Sequence, residues 1–130
     1  MTAYLLDTHA LLWLVNNPKR IPAATHALLA DESNDLLVSA VTAWVITTKH
    51  RLGKLPEAEP LVCGWPEMID RLLAIEVPLT PTQGFAAGRL VWQHGDPFDR
   101  MLAAQAIDMR VPLVSGDKVM ATLPGLDVCW

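Results

Sequence analysis

Cysteine and long apolar runs are scarce in this sequence, and both absences are informative. The two cysteines, Cys63 and Cys129, stand alone, so neither a disulfide framework nor a zinc site is expected. No apolar run has the length of a membrane span, and no basic stretch with a cleavage site opens the chain. We therefore expect a protein of the reducing cytoplasm, without a membrane-bound segment.

The chain also lacks a basic excess. Its 14 Asp and Glu residues outnumber 10 Lys and Arg residues, which gives a formal net charge of −4. This balance argues against broad electrostatic binding of nucleic acid. It remains compatible with a small basic rim around an acidic metal site, or with a basic protein partner. Hydrophobic residues make up 52% of the 130 residues, which predicts one domain, 1–130, with one sizeable core.

The N-terminal segment joins an apolar strand to a carboxylate. Residues 3–6 show no polar alternation, which is typical of a strand buried on both faces. This strand ends at Asp7, and Thr8 is the expected N-cap of the helix that follows. Ligands of open α/β sheets bind beyond the carboxyl ends of the strands, so Asp7 is a candidate site residue. A plain capping role for Asp7 is an equal alternative.

Strand-like and helix-like segments alternate along the chain. The predicted strands are 3–6, 36–38, 74–79, 111–114 and a possible fifth at 126–129. Helices are predicted between them, including one from Thr80 to about His94, and residues 56–60 are expected to form a loop. This alternation predicts an α/β fold with a small, mainly parallel sheet of four to five strands and helices on both faces.

Polar residues recur where the predicted strands end. Asp7 follows the first strand, Ser39 the second, and Ser115 and Asp117 the fourth. The carboxyl ends of parallel strands lie along one edge of a sheet, so Asp7 and Asp117 are expected to meet.

Asp99 is a third candidate carboxylate. Asp96 is the expected N-cap of a helix that begins at Pro97, which puts Asp99 in its first turn. Because Asp99 shares a helical face with Leu102 and Ala106, it is expected at the mouth of the core. Stabilisation of the helix through its macrodipole is the simpler explanation for Asp99 alone.

Several carboxylates that face one another are unfavourable without a counter-charge. A hard divalent cation with oxygen ligands, Mg²⁺ or Mn²⁺, supplies that charge. Such a site orients a phosphodiester and activates water. Metal-assisted phosphodiester hydrolysis is therefore one candidate function.

Five stretches of the chain, in order, resemble the PIN-domain ribonucleases, specifically the VapC-like toxins of bacterial toxin–antitoxin pairs. They are residues 5–13, 39–44, 49–55, 94–106 and 113–117. The resemblance implies a PIN-like three-layer α/β/α sandwich and the toxin of a type II toxin–antitoxin system. It also implies a Mg²⁺- or Mn²⁺-dependent endoribonuclease that cleaves RNA and is held inactive by a cognate antitoxin. A homodimer and a toxin–antitoxin hetero-oligomer are the expected assemblies.

The resemblance also implies roles for individual residues. By position, Asp7, Asp99 and Asp117 resemble metal-binding carboxylates, with Asp96 as a further acidic residue. Water-positioning or substrate-contacting roles carry over to four more: Thr8, Ser115, Arg100 and Lys49. A solvated helix end explains the basic cluster around Lys49 equally well.

Val45 departs from the family pattern, which has a glutamate at this position. Valine cannot bind a hard cation, so the loss of one carboxylate is expected to weaken the site. The chain is either a naturally degenerate member or carries a change introduced or selected because the active toxin harms its host. The intact surrounding motif favours the second explanation.

Two other readings remain open at this point. One is a catalytically silent PIN-fold protein retained for antitoxin binding. The other is a receiver-type phosphoacceptor domain, which would need a second acid beside Asp7. Structural roles are expected for the remaining His and Trp side chains, with His9 and His94 at turns or helix edges and Trp13, Trp44 and Trp92 on helices.

Overall fold

The computed structural model describes residues 1–130. They fold into one five-stranded sheet that lies between two layers of helices. The strands are β1 (Ala3–Leu6), β2 (Asp35–Ser39), β3 (Ile75–Val77), β4 (Leu113–Val114) and β5 (Val128–Cys129). The helices are α1 (Thr8–Asn16), α2 (Ala23–Ala30), α3 (Ala40–Arg51), α4 (Glu59–Cys63), α5 (Trp65–Arg71), α6 (Pro81–Arg89) and α7 (Pro97–Met109). Three short 3-10 turns occur at Pro18–Arg20, Pro56–Ala58 and Lys118–Thr122. The predicted α/β/α fold is confirmed.

All four strand pairings are parallel, in the order β3-β2-β1-β4-β5. β1 therefore lies at the centre of the sheet, between β2 and β4. A receiver domain has the flavodoxin-like order, in which β1 lies between β2 and β3. The receiver-type alternative is wrong for this chain.

The core lies on both faces of the sheet, as the apolar strands predict. Leu6 and Val38 point to the layer that contains α1, α2, α4 and α5. Their neighbours Leu5 and Leu37 point to the opposite layer, where α7 packs. This alternation is the period of two expected of strands, and α3 contributes side chains to both layers. None of the helices is both long enough and apolar enough to cross a bilayer.

Three strands (β3, β4 and β5) are shorter than predicted, and two segments differ more from the sequence prediction. α6 ends at Arg89, five residues early, because Leu90 adopts an extended conformation, and Trp92 consequently lies in a loop. Residues 56–60 form a 3-10 turn and the start of α4 instead of a loop. Pro60 lies in the first turn of α4, where the missing backbone N–H removes no helical hydrogen bond.

Candidate functional site

The centre of the sheet brings two predicted site loops together. β1 and β4 pair with Leu6 opposite Val114, and the backbone N–H of Asp7 donates to the Val114 carbonyl at 3.0 Å. Asp7 and Ser115 are therefore neighbours just beyond the paired strands. The strand order reverses at this point of the sheet, and the crevice at such a reversal is where open α/β folds bind ligands.

An open pocket of about 420 Å³ lies in this crevice. Four carboxylates line it, although they come from three distant parts of the chain: Asp7, Asp96, Asp99 and Asp117. The other lining residues are Thr8, His9, Trp13, Val45, Lys49, Phe98, Leu102 and Gly116. The three aspartates that the sequence predicted to meet thus share one pocket.

Asp7 is the most buried of these acids, with 6% of its surface exposed. Its Oδ1 accepts a hydrogen bond from the Ala10 backbone N–H at 2.7 Å, so Asp7 caps α1. Thr8 is the first helical residue, and its predicted capping role is wrong because the helix begins one residue earlier than expected, so that Asp7 is the N-cap. Burial raises the pKa of Asp7, while the Ser115 side chain and the Ala10 N–H oppose that rise. The nearby charge of Asp99 adds to it.

Asp99 lies in the first turn of α7, as predicted, and is half-buried. The Asp96 side chain caps this helix by accepting from the backbone N–H groups of Phe98 and Asp99. Burial is the main cause that raises the pKa of Asp99, and the charges of Asp96 and Asp117 raise it further. A hydrogen bond with His94 opposes the rise.

Asp117 is exposed at the start of the last 3-10 turn. Its Oδ1 accepts from the Val119 backbone N–H at 3.1 Å, and its own N–H donates to Ser115 Oγ at 3.1 Å. The Ser115 side chain is buried, so it supports the site from below the pocket.

Oxygen-only donors suit a hard divalent cation, and the pocket wall is rich in carboxylates. In this structure no three acidic, His or Cys side chains come close enough together to hold an ion. The carboxylates stay apart because each is held by a hydrogen bond with a nearby residue. Asp7, Asp99 and Asp117 all form such a bond. The donor chemistry fits such a cation, and the three carboxylates would have to move closer together to bind it.

Val45 and Lys49 lie one turn apart on α3, and both line the pocket. Val45 is 5% exposed and packs into the apolar cluster that contains Leu5 and Leu102. Lys49 is exposed, and it is the one Lys or Arg among the lining residues. The pocket therefore has an apolar wall next to a single cationic group.

Arg100 does not line the pocket, although the sequence suggested an RNA contact. Its guanidinium donates hydrogen bonds to four backbone carbonyl groups, at distances of 2.6–3.1 Å. These carbonyls belong to Ala87, Leu90, Trp92 and His94. The side chain holds this loop, and its contact with RNA stays a prediction.

Sequence reasoning missed several aromatic residues of the site. His94, expected at a turn or helix edge, contacts Asp99, and His9 lines the pocket. Trp13 also lines it and packs against Trp130, with ring centroids 5.6 Å apart. His9 and His94 lie close in sequence to Asp7 and Asp99 but match no metal-ligand spacing, and Trp13 and Trp130 are far apart in the chain, so the sequence did not predict these contacts.

The model of the PIN domain family matches residues 4–126. Ribonuclease VapC22 of Mycobacterium tuberculosis is 25% identical over 119 residues, which are 91% of this chain and 89% of that relative. Ribonuclease VapC16 of the same organism is 43% identical over 47 residues, or 36% of this chain. That second match spans only a third (33%) of the relative's length.

Two solved structures share the fold. One is the crystal structure of VapBC2 from Rickettsia felis bound to a DNA fragment from their promoter, with a TM-score of 0.66 and 17% identity. The alignment covers 98% of both chains. The other is DNA-bound VapBC from Salmonella typhimurium, with a TM-score of 0.69, 16% identity and coverage of 99% of this chain and 98% of that chain. The family match over residues 4–126 shows that the chain belongs to the PIN-domain family, and its curated relatives are VapC ribonucleases.

Proposed function

We propose that this protein is the toxin of a type II toxin–antitoxin system and a Mg²⁺- or Mn²⁺-dependent endoribonuclease. The observation that carries the proposal is that Asp7, Asp99 and Asp117 line one pocket. The names of the two curated relatives, both ribonucleases, support hydrolysis of RNA as the reaction.

In this proposal the three aspartates are the metal ligands. A bound divalent cation supplies positive charge to the phosphodiester and acidifies a nearby water. Thr8, at the start of α1, and the buried Ser115 hydroxyl help to position water or the metal ion near Asp7. Lys49 at the rim attracts the RNA backbone, while Asp96 adds negative charge and fixes the start of α7.

Val45 reduces the activity of the site in this proposal. A glutamate at this position would add a fourth carboxylate to the cluster, whereas valine offers no ligand atom. Val45 is buried in the apolar cluster of the pocket wall, so that part of the wall has no oxygen atom that could bind a cation. Weaker metal binding and slower cleavage are the expected consequences.

A cognate antitoxin is the proposed protein partner, since both structural neighbours are VapBC assemblies. A homodimer that joins a toxin–antitoxin hetero-oligomer is the proposed assembly, with the cytoplasm as its location. Co-expression with a candidate antitoxin, followed by co-purification and light scattering, tests the partner and the stoichiometry together.

The direct test is cleavage of total RNA by the purified chain with Mg²⁺, with Mn²⁺ and with EDTA. We expect slow cleavage that requires the cation and stops in EDTA, and Asp7→Asn should abolish it. Sequencing of the new RNA ends then identifies the substrate. Cleavage that is unchanged in EDTA and in Asp7→Asn would contradict the proposal.

A second candidate is a catalytically silent PIN-fold protein that only binds its antitoxin. Two observations favour it: Val45 is buried and apolar, and no three acidic side chains gather into a ligand set. A chain that binds the antitoxin but cleaves no RNA, either as it stands or as Val45→Glu, would establish this alternative.

A further inference from the structure

The loop that follows α6 is held from within by one side chain. The Arg100 guanidinium donates to the carbonyls of Leu90, Trp92 and His94, and to that of Ala87 in the last turn of α6. Arginine presents several donors in a fixed planar fork, so these bonds fix the loop's path as well as its position. The loop ends at the start of α7, where Asp99 lies.

His94 extends from this loop to Asp99, which lines the pocket. Its Nε2 is 2.7 Å from Asp99 Oδ2, and the two side chains are 25% and 28% exposed. The imidazole packs against the Trp92 ring with centroids 5.0 Å apart, and Trp92 Nε1 donates to Thr122 Oγ1 at 2.9 Å. His94 is therefore held by three contacts: Arg100 at its backbone carbonyl, the Trp92 ring at its imidazole, and Asp99 at Nε2.

This contact controls the orientation of the Asp99 carboxylate. When Asp99 is ionised its carboxylate only accepts hydrogen bonds, and His94 Nε2–H is then the donor. The bond occupies Oδ2 and leaves Oδ1 without a hydrogen-bond partner in the chain. No other side chain donates to this carboxylate, so without His94 it would rotate freely about its Cβ–Cγ bond.

We propose that His94 is a positioning residue, which holds Asp99 with one carboxylate oxygen turned toward the pocket for a divalent cation. This inference rests on the proposed metal-dependent function and deepens it. Hydrogen-bond partners that orient metal-binding side chains change metal affinity or activity by about 10–100-fold when they are removed. His94 is expected to act in that range, through Asp99 and without touching the cation.

The test compares His94→Phe with His94→Gln in the full chain. Phenylalanine keeps a ring to pack on Trp92 but donates no hydrogen bond, whereas the glutamine amide reaches about as far as Nε2. We expect Mn²⁺ affinity, measured by electron paramagnetic resonance, to fall at least about tenfold in His94→Phe and to recover within about threefold in His94→Gln. In RNA cleavage, kcat should fall in His94→Phe while KM changes little.

Thermal unfolding separates positioning from folding. If His94→Phe proves unstable, His94→Asn replaces it, because the shorter amide falls short of Asp99 while remaining polar. Mn²⁺ affinity within about twofold of the unchanged chain in the folded His94→Phe or His94→Asn variant overturns the inference and leaves the proposed function standing. Absence of Mn²⁺ binding in both the unchanged chain and Val45→Glu overturns the proposed function and, with it, the role of His94.

Discussion

Asp7 and Ser115 are the first residues beyond two paired strands, and the backbone bond from Asp7 to Val114 ties their loops together at 3.0 Å. The spacing between these loops is therefore set by strand register. In a parallel pair, a slip of one residue would turn each side chain to the other face of the sheet. The same Leu6–Val114 pairing that fills the core thus determines where Asp7 stands relative to the Asp117 loop.

Val45→Glu should increase cation binding and RNA cleavage, because it adds a carboxylate to the pocket wall. We expect a gain of at least about tenfold in Mn²⁺ affinity and a comparable gain in cleavage rate. The same change places a polar group among apolar neighbours, at a cost of about 1–3 kcal/mol in the free energy of unfolding. Isothermal titration with Mn²⁺ and urea denaturation measure the two effects.

Val45→Gln is the matched control for that experiment. Glutamine has nearly the same shape as glutamate but lacks its charge, so it should lose stability without a large gain in Mn²⁺ affinity. Equal gains from both substitutions would show that polarity alone, and not an added ligand, explains the effect. No gain from Val45→Glu would mean that position 45 is not the family's glutamate position.

Asp7→Asn should separate stability from activity. Asparagine also caps helices well, so the hydrogen bond to Ala10 can be kept. Burial raises the pKa of Asp7, which means that its ionised form destabilises the fold at neutral pH. Asp7→Asn is therefore expected to melt at the same temperature as the unchanged chain or higher, while Mn²⁺ affinity falls by more than about 100-fold. A large drop in melting temperature would contradict this account of Asp7.

Arg100→Ala should destabilise the fold by about 2–4 kcal/mol, since it removes the side-chain donor of three loop carbonyls and of the Ala87 carbonyl in α6. Arg100→Lys should recover little of that loss, because an ammonium group cannot reproduce the planar fork. Arg89→Ala is a suitable control, as Arg89 is exposed and should change the free energy by no more than about 0.5 kcal/mol. If Arg100→Ala left stability unchanged and weakened RNA binding, the RNA contact inferred from the sequence would be right.

Gly116→Ala should disturb the pocket edge. A Cβ at this position would lie 2.6 Å from Cε2 of Trp130, so the indole would have to move and its packing on Trp13 would change. We expect a loss of about 1 kcal/mol in stability and a change in the near-ultraviolet circular dichroism of the tryptophans. The double variant Gly116→Ala/Trp130→Ala should show no additional loss beyond Trp130→Ala, because the clash is then gone. If the stability losses of Gly116→Ala and Trp130→Ala were additive in the double variant, the clash with Trp130 would not be the cause of the Gly116→Ala loss.

Much of the fold could be predicted because its signals are local. The apolar run of β1, the Ser39 cap of α3 and the Asp96-Pro97 start of α7 each depend on a few adjacent residues. The parallel arrangement then follows from the alternation of strands and helices. Even the meeting of Asp7 and Asp117 required only that β1 and β4 be parallel and close.

The parts that sequence could not predict depend on tertiary contacts. α6 ends at Arg89 while its apolar spacing continues, and the loop beyond it owes its path to Arg100, which lies on the next helix. His94 acquires its contact with Asp99 only because that loop is fixed. The packing of Trp130 on Trp13 likewise joins two ends of the chain, and no periodicity in the sequence records it.

The central position of β1 has a consequence for synthesis on the ribosome. Leu6 leaves the ribosome early, but its partner Val114 is added more than a hundred residues later. At about 5–20 residues per second, the first strand waits on the order of ten seconds for its neighbour. During that interval Asp7 has no Asp117 beside it, so a translation product interrupted before residue 117 lacks one of the pocket's four carboxylates and the strand that fixes its position.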